Sequence, residues 1–530
     1  MKHRFAVMLV CMVLTSGSAL LGQTQILTEG WVRLYGTNLR HSDYATSLAV
    51  AANGDIVVTG MSENSEGVRK WATLKYNRSG DALWARSIDV VPHLDDIGRF
   101  VAIAKDGSIF SCGDIRIDYG FYQVTSDILV IRYDEAGSEM WRHEIGAGNE
   151  QNDNSTAMVV DDRGNVVIAG ITAISTGNSD IVLSKFDISG NLLWSRNYNE
   201  FNGADYIKNL AVAPNGTCYA VGYSSRFDSP SDALIVAFDS TGQKLWSRTY
   251  NSPAKDADGF VEVALDTNGD LIVLGESRYW QFTDLEAFVF KYSQDGEIIW
   301  TNIINSPSAG ILPRPYSLAI SETDDIVISG ALGGLSLFYW DAYVTKLSSE
   351  GEILWSRTYP DIGQTNGSSK TDVSFDGYGN IYLCRGQPPE GTASPNGGYM
   401  LKFNPEGDLV WDKSFNGDLE HAYEPYLINV DRFGRIVTAG LTVRLDGSTW
   451  HDDFLTMKYY QLLCGDADGS GDVGISDVVF LVNYIFLGGP FPDPNSQADV
   501  DCTGIISVSD VVHLINAIFE GGPAPCNSCQ

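Results

Sequence analysis

Trp246-Ser-Arg-Thr-Tyr250 belongs to a series that decides the fold. The same pentad stands as Trp31-Val-Arg-Leu-Tyr35, Trp84-Ala-Arg-Ser-Ile88, Trp194-Ser-Arg-Asn-Tyr198 and Trp355-Ser-Arg-Thr-Tyr359, with looser copies at Trp141, Trp300 and Trp411. Neighbouring tryptophans lie 52 to 57 residues apart, and a fixed period of that size means a repeat architecture. A second column runs between them, a turn and a β-branched run ending on Gly. It reads Asn53-Gly-Asp-Ile-Val-Val-Thr-Gly60, Arg163-Gly-Asn-Val-Val-Ile-Ala-Gly170 and Phe433-Gly-Arg-Ile-Val-Thr-Ala-Gly440, with degenerate members ending at Gly113, Gly222, Gly275, Gly330 and Gly386. A third column starts at Asp and ends on an aromatic residue or Leu, as in Asp127 to Tyr133, Asp180 to Phe186, Asp341 to Leu347 and Asp453 to Tyr459.

Each repeat therefore holds four short strands, and Asn53-Gly54 and Ser79-Gly80 suit the tight turns between them. Four antiparallel strands at this period make one blade of a β-propeller. The fold class is mainly β: an eight-bladed β-propeller over residues 26–460, with seven blades the alternative if Cys384 to Gly386 marks a degenerate blade. The Trp and Gly columns are out of phase. Trp31 precedes the first blade, and the eighth ends at Tyr459 with no tryptophan after it. The N-terminal strand around Trp31 to Tyr35 is thus expected to close the ring as the outer strand of blade eight, which leaves no exposed seam.

These units resemble the propeller repeats of large bacterial secreted and surface proteins, with an Asp…Lys-Tyr…Gly…Trp pattern. The resemblance implies the fold and no particular ligand. Residues recurring once per blade, the Trp and Lys-Tyr columns, are expected to pack blades together rather than to bind sugar. Asp266-Thr-Asn-Gly-Asp270 reads as a turn, and Asp256-Ala-Asp258-Gly259 lacks the later ligands of a calcium loop. Cys112, Cys218 and Cys384 are expected as buried thiols.

The start of the chain reads as a signal peptide over 1–22: basic Lys2, His3 and Arg4, an apolar run from Phe5 to Leu14, then small residues to Gly22. The expected location is extracellular or cell-surface. The apolar run is too short to span a bilayer, which takes about 20 residues, and no later stretch qualifies. A net charge of −32 over 530 residues disfavours nucleic acid and anionic lipid as partners.

At Cys464 the composition changes. From there to Gln530 there is no Lys or Arg. Two matching segments follow 33 residues apart, Asp466-Ala-Asp-Gly-Ser-Gly-Asp-Val-Gly-Ile-Ser-Asp477 and Asp499-Val-Asp-Cys-Thr-Gly-Ile-Ile-Ser-Val-Ser-Asp510. Calcium takes six to eight oxygens, and positions 1, 3, 5, 7 and 12 of such a loop can wrap one ion. The ligands in loop one are Asp466, Asp468, Ser470, the Asp472 carbonyl and Asp477. In loop two they are Asp499, Asp501, Thr503, the Ile505 carbonyl and Asp510, with bend glycines at Gly471 and Gly504. Two Ca2+ ions are expected. A helix should follow each loop, over 478–487 and 511–520, stopped by Gly-Gly-Pro. Such duplicated loop–helix units look like a type I dockerin domain, here over 464–530. The segment departs from the cellulosomal pattern at Gly474, in position 9, and in having no basic residue on its helices. The clustered Cys464, Cys502, Cys526 and Cys529 suggest one or two disulfides, in any of three pairings.

No Gly-x-Ser-x-Gly elbow, His-Glu-x-x-His helix or phosphate-binding Gly loop occurs. The primary reading is a non-catalytic binding or scaffold propeller, held to a cohesin-like or other extracellular protein through its calcium module, with carbohydrate a further candidate ligand. The alternative is a polysaccharide-degrading enzyme, a glycoside hydrolase or lyase cleaving O-glycosyl bonds, delivered to an assembly by the dockerin. A carboxylate pair for that chemistry is assembled in space and leaves no local spacing.

Overall fold

The computed structural model describes residues 26–525 except 37–42, 65, 91–93, 119–123, 147–151, 176–177, 202, 227–228, 254–256, 279–284, 305–310, 335–339, 360–369, 387–397, 416–420, 433, 447–448, 469–472, 493–496, 521 and 524. The chain forms two compact units. One is Glu29–Tyr459, and the other holds the described residues from Tyr460 on together with 26–28.

The larger unit is an eight-bladed propeller of four-stranded antiparallel sheets. After β1 (Ile26–Tyr35), blade one is β2 (Tyr44–Val50), β3 (Ile56–Glu63), β4 (Arg69–Tyr76) and β5 (Ala82–Ile88). Blades two to seven span 97–145, 153–198, 205–250, 257–304, 311–359 and 370–414. Blade seven is complete, so the seven-blade alternative falls. Blade eight takes three strands from 421–462 and its outermost strand from β1. The N-terminal strand closes the ring, as the phase mismatch of the columns requires. First strands of neighbouring blades lie against one another around the ring, blade eight against blade one included, so they form the innermost wall.

The core sits between blades. Hydrophobic clusters bridge blades one and two, two and three, and so on to six and seven, and one joins blade eight to blade one through Trp31, Phe454, Ile56 and Leu74. The tryptophan column clasps the same boundaries. Trp84 Nε1 donates to the Glu135 carbonyl of the next blade at 3.1 Å, Trp194 to Ser240 at 3.1 Å, and Trp31 to Arg78 at 3.2 Å. Two residues on, Arg86 donates to the Gly137 carbonyl at 2.6 Å, Arg196 to Gly242 at 2.8 Å, and Arg33 to Gly80 at 2.6 Å. Each such Gly lies flat under the preceding blade's indole at φ near +80°, and a Cβ on Gly137 would stand 2.6 Å from Trp84. Only Gly meets both demands. The column thus packs blades, as expected.

In the innermost strand of seven blades an extra residue is inserted opposite the Gly column, at Thr46, Arg99, Thr156, Lys208, Val261, Tyr316 and Tyr426. A bulge turns the backbone out of the ladder. At Gly60, Gly113, Gly222, Gly330 and Gly440 a carbonyl of the bulged strand leaves the facing residue no room: a Cβ on Gly222 would stand 1.9 Å from the Tyr206 oxygen.

The smaller unit holds α1 (Ile475–Leu487) and α2 (Val508–Phe519) over a core that includes Ala467, Val478, Leu481, Val500, Val511 and Leu514. Both helices start three residues before the sequence-based boundaries. The reason is local. Asp477 Oδ2 accepts the Gly474 amide at 2.8 Å and Asp510 Oδ2 the Ser507 amide at 2.7 Å, so each loop-closing Asp also caps its helix. Among the described residues, no helix is long and apolar enough to cross a membrane.

Candidate metal centre

Each C-terminal loop brings three carboxylates together. Ligand oxygens of Asp466, Asp468 and Asp477 lie within 4.8 Å of one another, and so do those of Asp499, Asp501 and Asp510. Asp477 and Asp510 are fully buried. Asp477 Oδ1 accepts the Asp468 amide at 3.0 Å, and Asp510 Oδ1 the Asp501 amide at 3.2 Å. In loop two, Asp499 accepts the amides of Thr503 at 3.0 Å and Gly504 at 2.8 Å, and Gly504 takes φ +83°, the bend expected at position 6. Thr503 and Ile505 are exposed on the same turn. Ser470 and Asp472, with Gly471, lie outside the described residues.

The electrostatics suit a cation. Burial, and then the charges of Asp466 and Asp468, push the Asp477 carboxyl up to about 8. Burial likewise raises Asp510, and Asp501 adds to it. Three converging carboxylates without a basic side chain in the segment are the oxygen donor set that a hard divalent ion takes.

The two helices expose matching apolar positions 33 residues apart: Ile475 and Val508, Val479 and Val512, Phe486 and Phe519. In each helix these fall on one face. Large residues that could have joined that face lie elsewhere, Leu481 and Leu514 being fully buried and Phe480, Ile485, Ile515 and Ile518 packed against the core. Cys464 and Cys502 are both disulfide-bonded, while Cys526 and Cys529 lie outside the described residues. Cys112, Cys218 and Cys384 are free and buried, and burial raises each thiol.

The propeller channel holds groups that sequence reading missed. Glu262 and Asp372 stand in its wall, keeping some solvent contact although atoms crowd them from all sides. Burial, then the Asp372 charge, pushes Glu262 up to about 8. Each is tied to its neighbours: Glu262 accepts the Leu318 amide of the next blade at 2.7 Å, and Asp372 the Ile428 amide of the next blade at 2.9 Å and the Ser317 hydroxyl of the preceding one at 2.8 Å. A cavity of about 440 Å³ opens at one end of the innermost strands, with Tyr44, Arg99, Asp114, Lys370 and Tyr426 in its lining. Asp258 accepts the Ser252 amide at 2.6 Å and is one of a column of buried aspartates, Asp43, Asp96, Asp153, Asp205 and Asp258, at the heads of innermost strands. That repetition across 43–258 is the signal that could have found it.

No known protein-family profile matches the chain. A stretch of 139 residues is 28% identical to regulatory protein FlaEY of Caulobacter vibrioides, covering 23% of this chain and 14% of that protein's own length. Among solved structures, an ulvan lyase of a polysaccharide lyase family covers 74% of this chain and 97% of its own, at 10% identity and TM-score 0.43. The polysaccharide lyase Uly1 covers 80% and 91%, at 12% and 0.43. The WD40 domain of SCAP from fission yeast covers 81% and 98%, at 10% and 0.41.

Proposed function

We propose that this protein is an extracellular binding platform, exported by residues 1–22, whose propeller holds a ligand and whose C-terminal module folds around two Ca2+ ions and docks on a partner protein. One observation carries the reading: a duplicated loop–helix unit gathers three carboxylates at each of two sites, with the loop-closing Asp of each fully buried. Asp466, Asp468 and Asp477 would hold one ion, together with Ser470 and the Asp472 carbonyl. Asp499, Asp501 and Asp510 would hold the other, with Thr503 and the Ile505 carbonyl. The bound ion would supply the positive charge that lets these carboxylates stay ionised and close together. The repeated exposed apolar face, Ile475-Val479-Phe486 and Val508-Val512-Phe519, suits a protein partner, for which the dockerin resemblance suggests a cohesin-like domain. The platform reading is preferred to the polysaccharide-degrading one because Glu262 and Asp372, on the innermost strands of blades five and seven, are each engaged by a backbone amide of the next blade.

The test is calorimetry of the full chain with calcium. Uptake of two ions is expected, falling to one in Asp468→Ala and one in Asp501→Ala. A chain that takes up no calcium overturns the reading. Calcium-dependent capture of a cohesin domain, lost in Phe486→Ser/Phe519→Ser, would identify the docking face.

A further inference from the structure

The ligand of the propeller can be narrowed by charge and shape, on the premise that the propeller is a binding platform. The whole chain carries −32. Its channel-mouth cavity has the opposite sense, with Arg69, Arg99, Arg116 and Lys370 in the lining against Asp95 and Asp114. Asp114 is consumed within the wall. One oxygen pairs with Arg99, and the other accepts the Ser155 amide and hydroxyl, both at 2.7 Å. Asp95 accepts the Arg69 amide at 3.0 Å. Asp95 keeps its charge and Arg99 is taken up with Asp114, so three cations, Arg69, Arg116 and Lys370, stand against one carboxylate about the space, all four exposed. A cationic concavity with low-dielectric walls concentrates anions locally, even in an acidic protein.

The wall beside these charges is aromatic and fixed. Tyr426 donates to the Ala45 carbonyl at 2.6 Å and so holds its ring in place, with Tyr44 lining the same space. The arrangement continues around the innermost strands. Lys208 Nζ lies 5.4 Å over the Tyr206 ring, and the Arg314 guanidinium 5.5 Å over Tyr316. Arg99, Lys208, Tyr316 and Tyr426 all stand at the inserted bulge position. A bare inorganic anion has no use for aromatic walls. A long polyanion such as nucleic acid would meet the acidic remainder of the surface. A volume of about 440 Å³ suits a ligand of one or two rings.

We propose that the channel mouth binds an acidic sugar, a pyranose bearing carboxylate or sulfate, with Arg116 and Lys370 on the anionic group and Tyr44 and Tyr426 against the ring. The test is titration of the full chain with trigalacturonate and a heparin-derived disaccharide, beside neutral cellotriose and tetraglutamate. Both acidic sugars, or one of them, should bind, more weakly as salt rises. Lys370→Gln and Arg116→Gln should each weaken binding about tenfold, the scale of one lost charged hydrogen bond, with the melting temperature unchanged. The inference is overturned if cellotriose binds as well as the acidic sugars, if tetraglutamate is preferred, if nothing binds, or if neither variant weakens binding. Calcium uptake is measured on the same samples. A chain that takes up two ions and binds no acidic sugar sinks this inference alone, and one that binds acidic sugar without calcium sinks only the docking module.

Discussion

At the scale of single residues, the turn aspartates do two jobs where sequence reading assigned one. Asp161 Oδ1 accepts the amides of Arg163 and Asn165, at 3.0 and 2.8 Å, which is the turn. Its Oδ2 lies 3.0 Å from the ammonium of Lys185, a buried residue of the Lys-Tyr column. Asp266 repeats the device with Lys291 at 2.7 Å. In blades six and one the lysine takes the aspartate at the far end of the turn, Asp325 with Lys346 at 2.8 Å and Asp55 with Lys75 at 3.0 Å, and Ser321 and Asn53 accept the turn amides. Removing one partner strands a buried charge, so Asp161→Ala should cost about 3 to 5 kcal/mol. Asp161→Ala with Lys185→Met should recover most of that, as read from denaturant unfolding of the full chain. Equal losses in single and double variants would show that the ion pair is not what matters. The pairing was not legible because a turn already accounts for Asp at that position. The leading aspartates were missed for a similar reason, one acidic residue per blade being easily read as part of a loop.

At the scale of elements, the Gly column was visible in the sequence and its cause was not. At Gly60, Gly113, Gly222, Gly330 and Gly440 the cause is a carbonyl beside the bulge across the ladder, and at Gly170 and Gly275 it is the Ile128 or Phe288 side chain. The bulge carries no residue signature of its own, since Thr, Arg, Lys, Val and Tyr all occupy it. Gly222→Ala should therefore destabilise the propeller by about 3 kcal/mol through overpacking. Gly259→Ala, whose new methyl would find its nearest neighbour at 3.7 Å, should stay within about 0.5 kcal/mol. Comparable thermal unfolding of the two would refute the steric account. Blade seven is instructive because its innermost strand lacks the bulge. There the space beside Gly386 is taken by the Pro425 carbonyl of the next blade, 2.5 Å from where a Cβ would be. In the C-terminal unit, loop spacing revealed which carboxylates converge. It did not reveal that Asp477 and Asp510 cap the helices they precede, since a metal-ligand role alone explains an Asp at position 12.

At the scale of the molecule, buried carboxyls make stability depend on pH in an uncommon direction. Burial, then its neighbours, raises Glu262 to about 8, Asp127 beside Asp153 to about 6, and Asp452 beside Asp453 to about 6. A carboxyl raised in the folded state binds its proton more tightly there than in the unfolded chain. Its contribution to stability therefore grows as pH falls from the folded value to about 4. The melting temperature should rise as pH is lowered from 8.5 to 5. All twelve tryptophans precede residue 460, so tryptophan fluorescence reports the propeller alone. A melting temperature that is flat or falling over that range counts against the buried-acid account. The ring was legible in the sequence because its columns repeat. The channel mouth was not, since its lining comes from blades one, two, three, seven and eight and no two of its cations share a motif.

The way the ring closes also sets an order of events in time. β1 is the first strand of the propeller to be made, and its partner, the last strand of blade eight, is made last. Until then Trp31 can already rest on blade one, but β1 has no ladder to complete. Contacts this distant in sequence form slowly, and a waiting strand edge is open to wrong partners. Seven blades can assemble while the chain lengthens. The ring becomes whole in a single late step that joins the oldest part of the propeller to the newest.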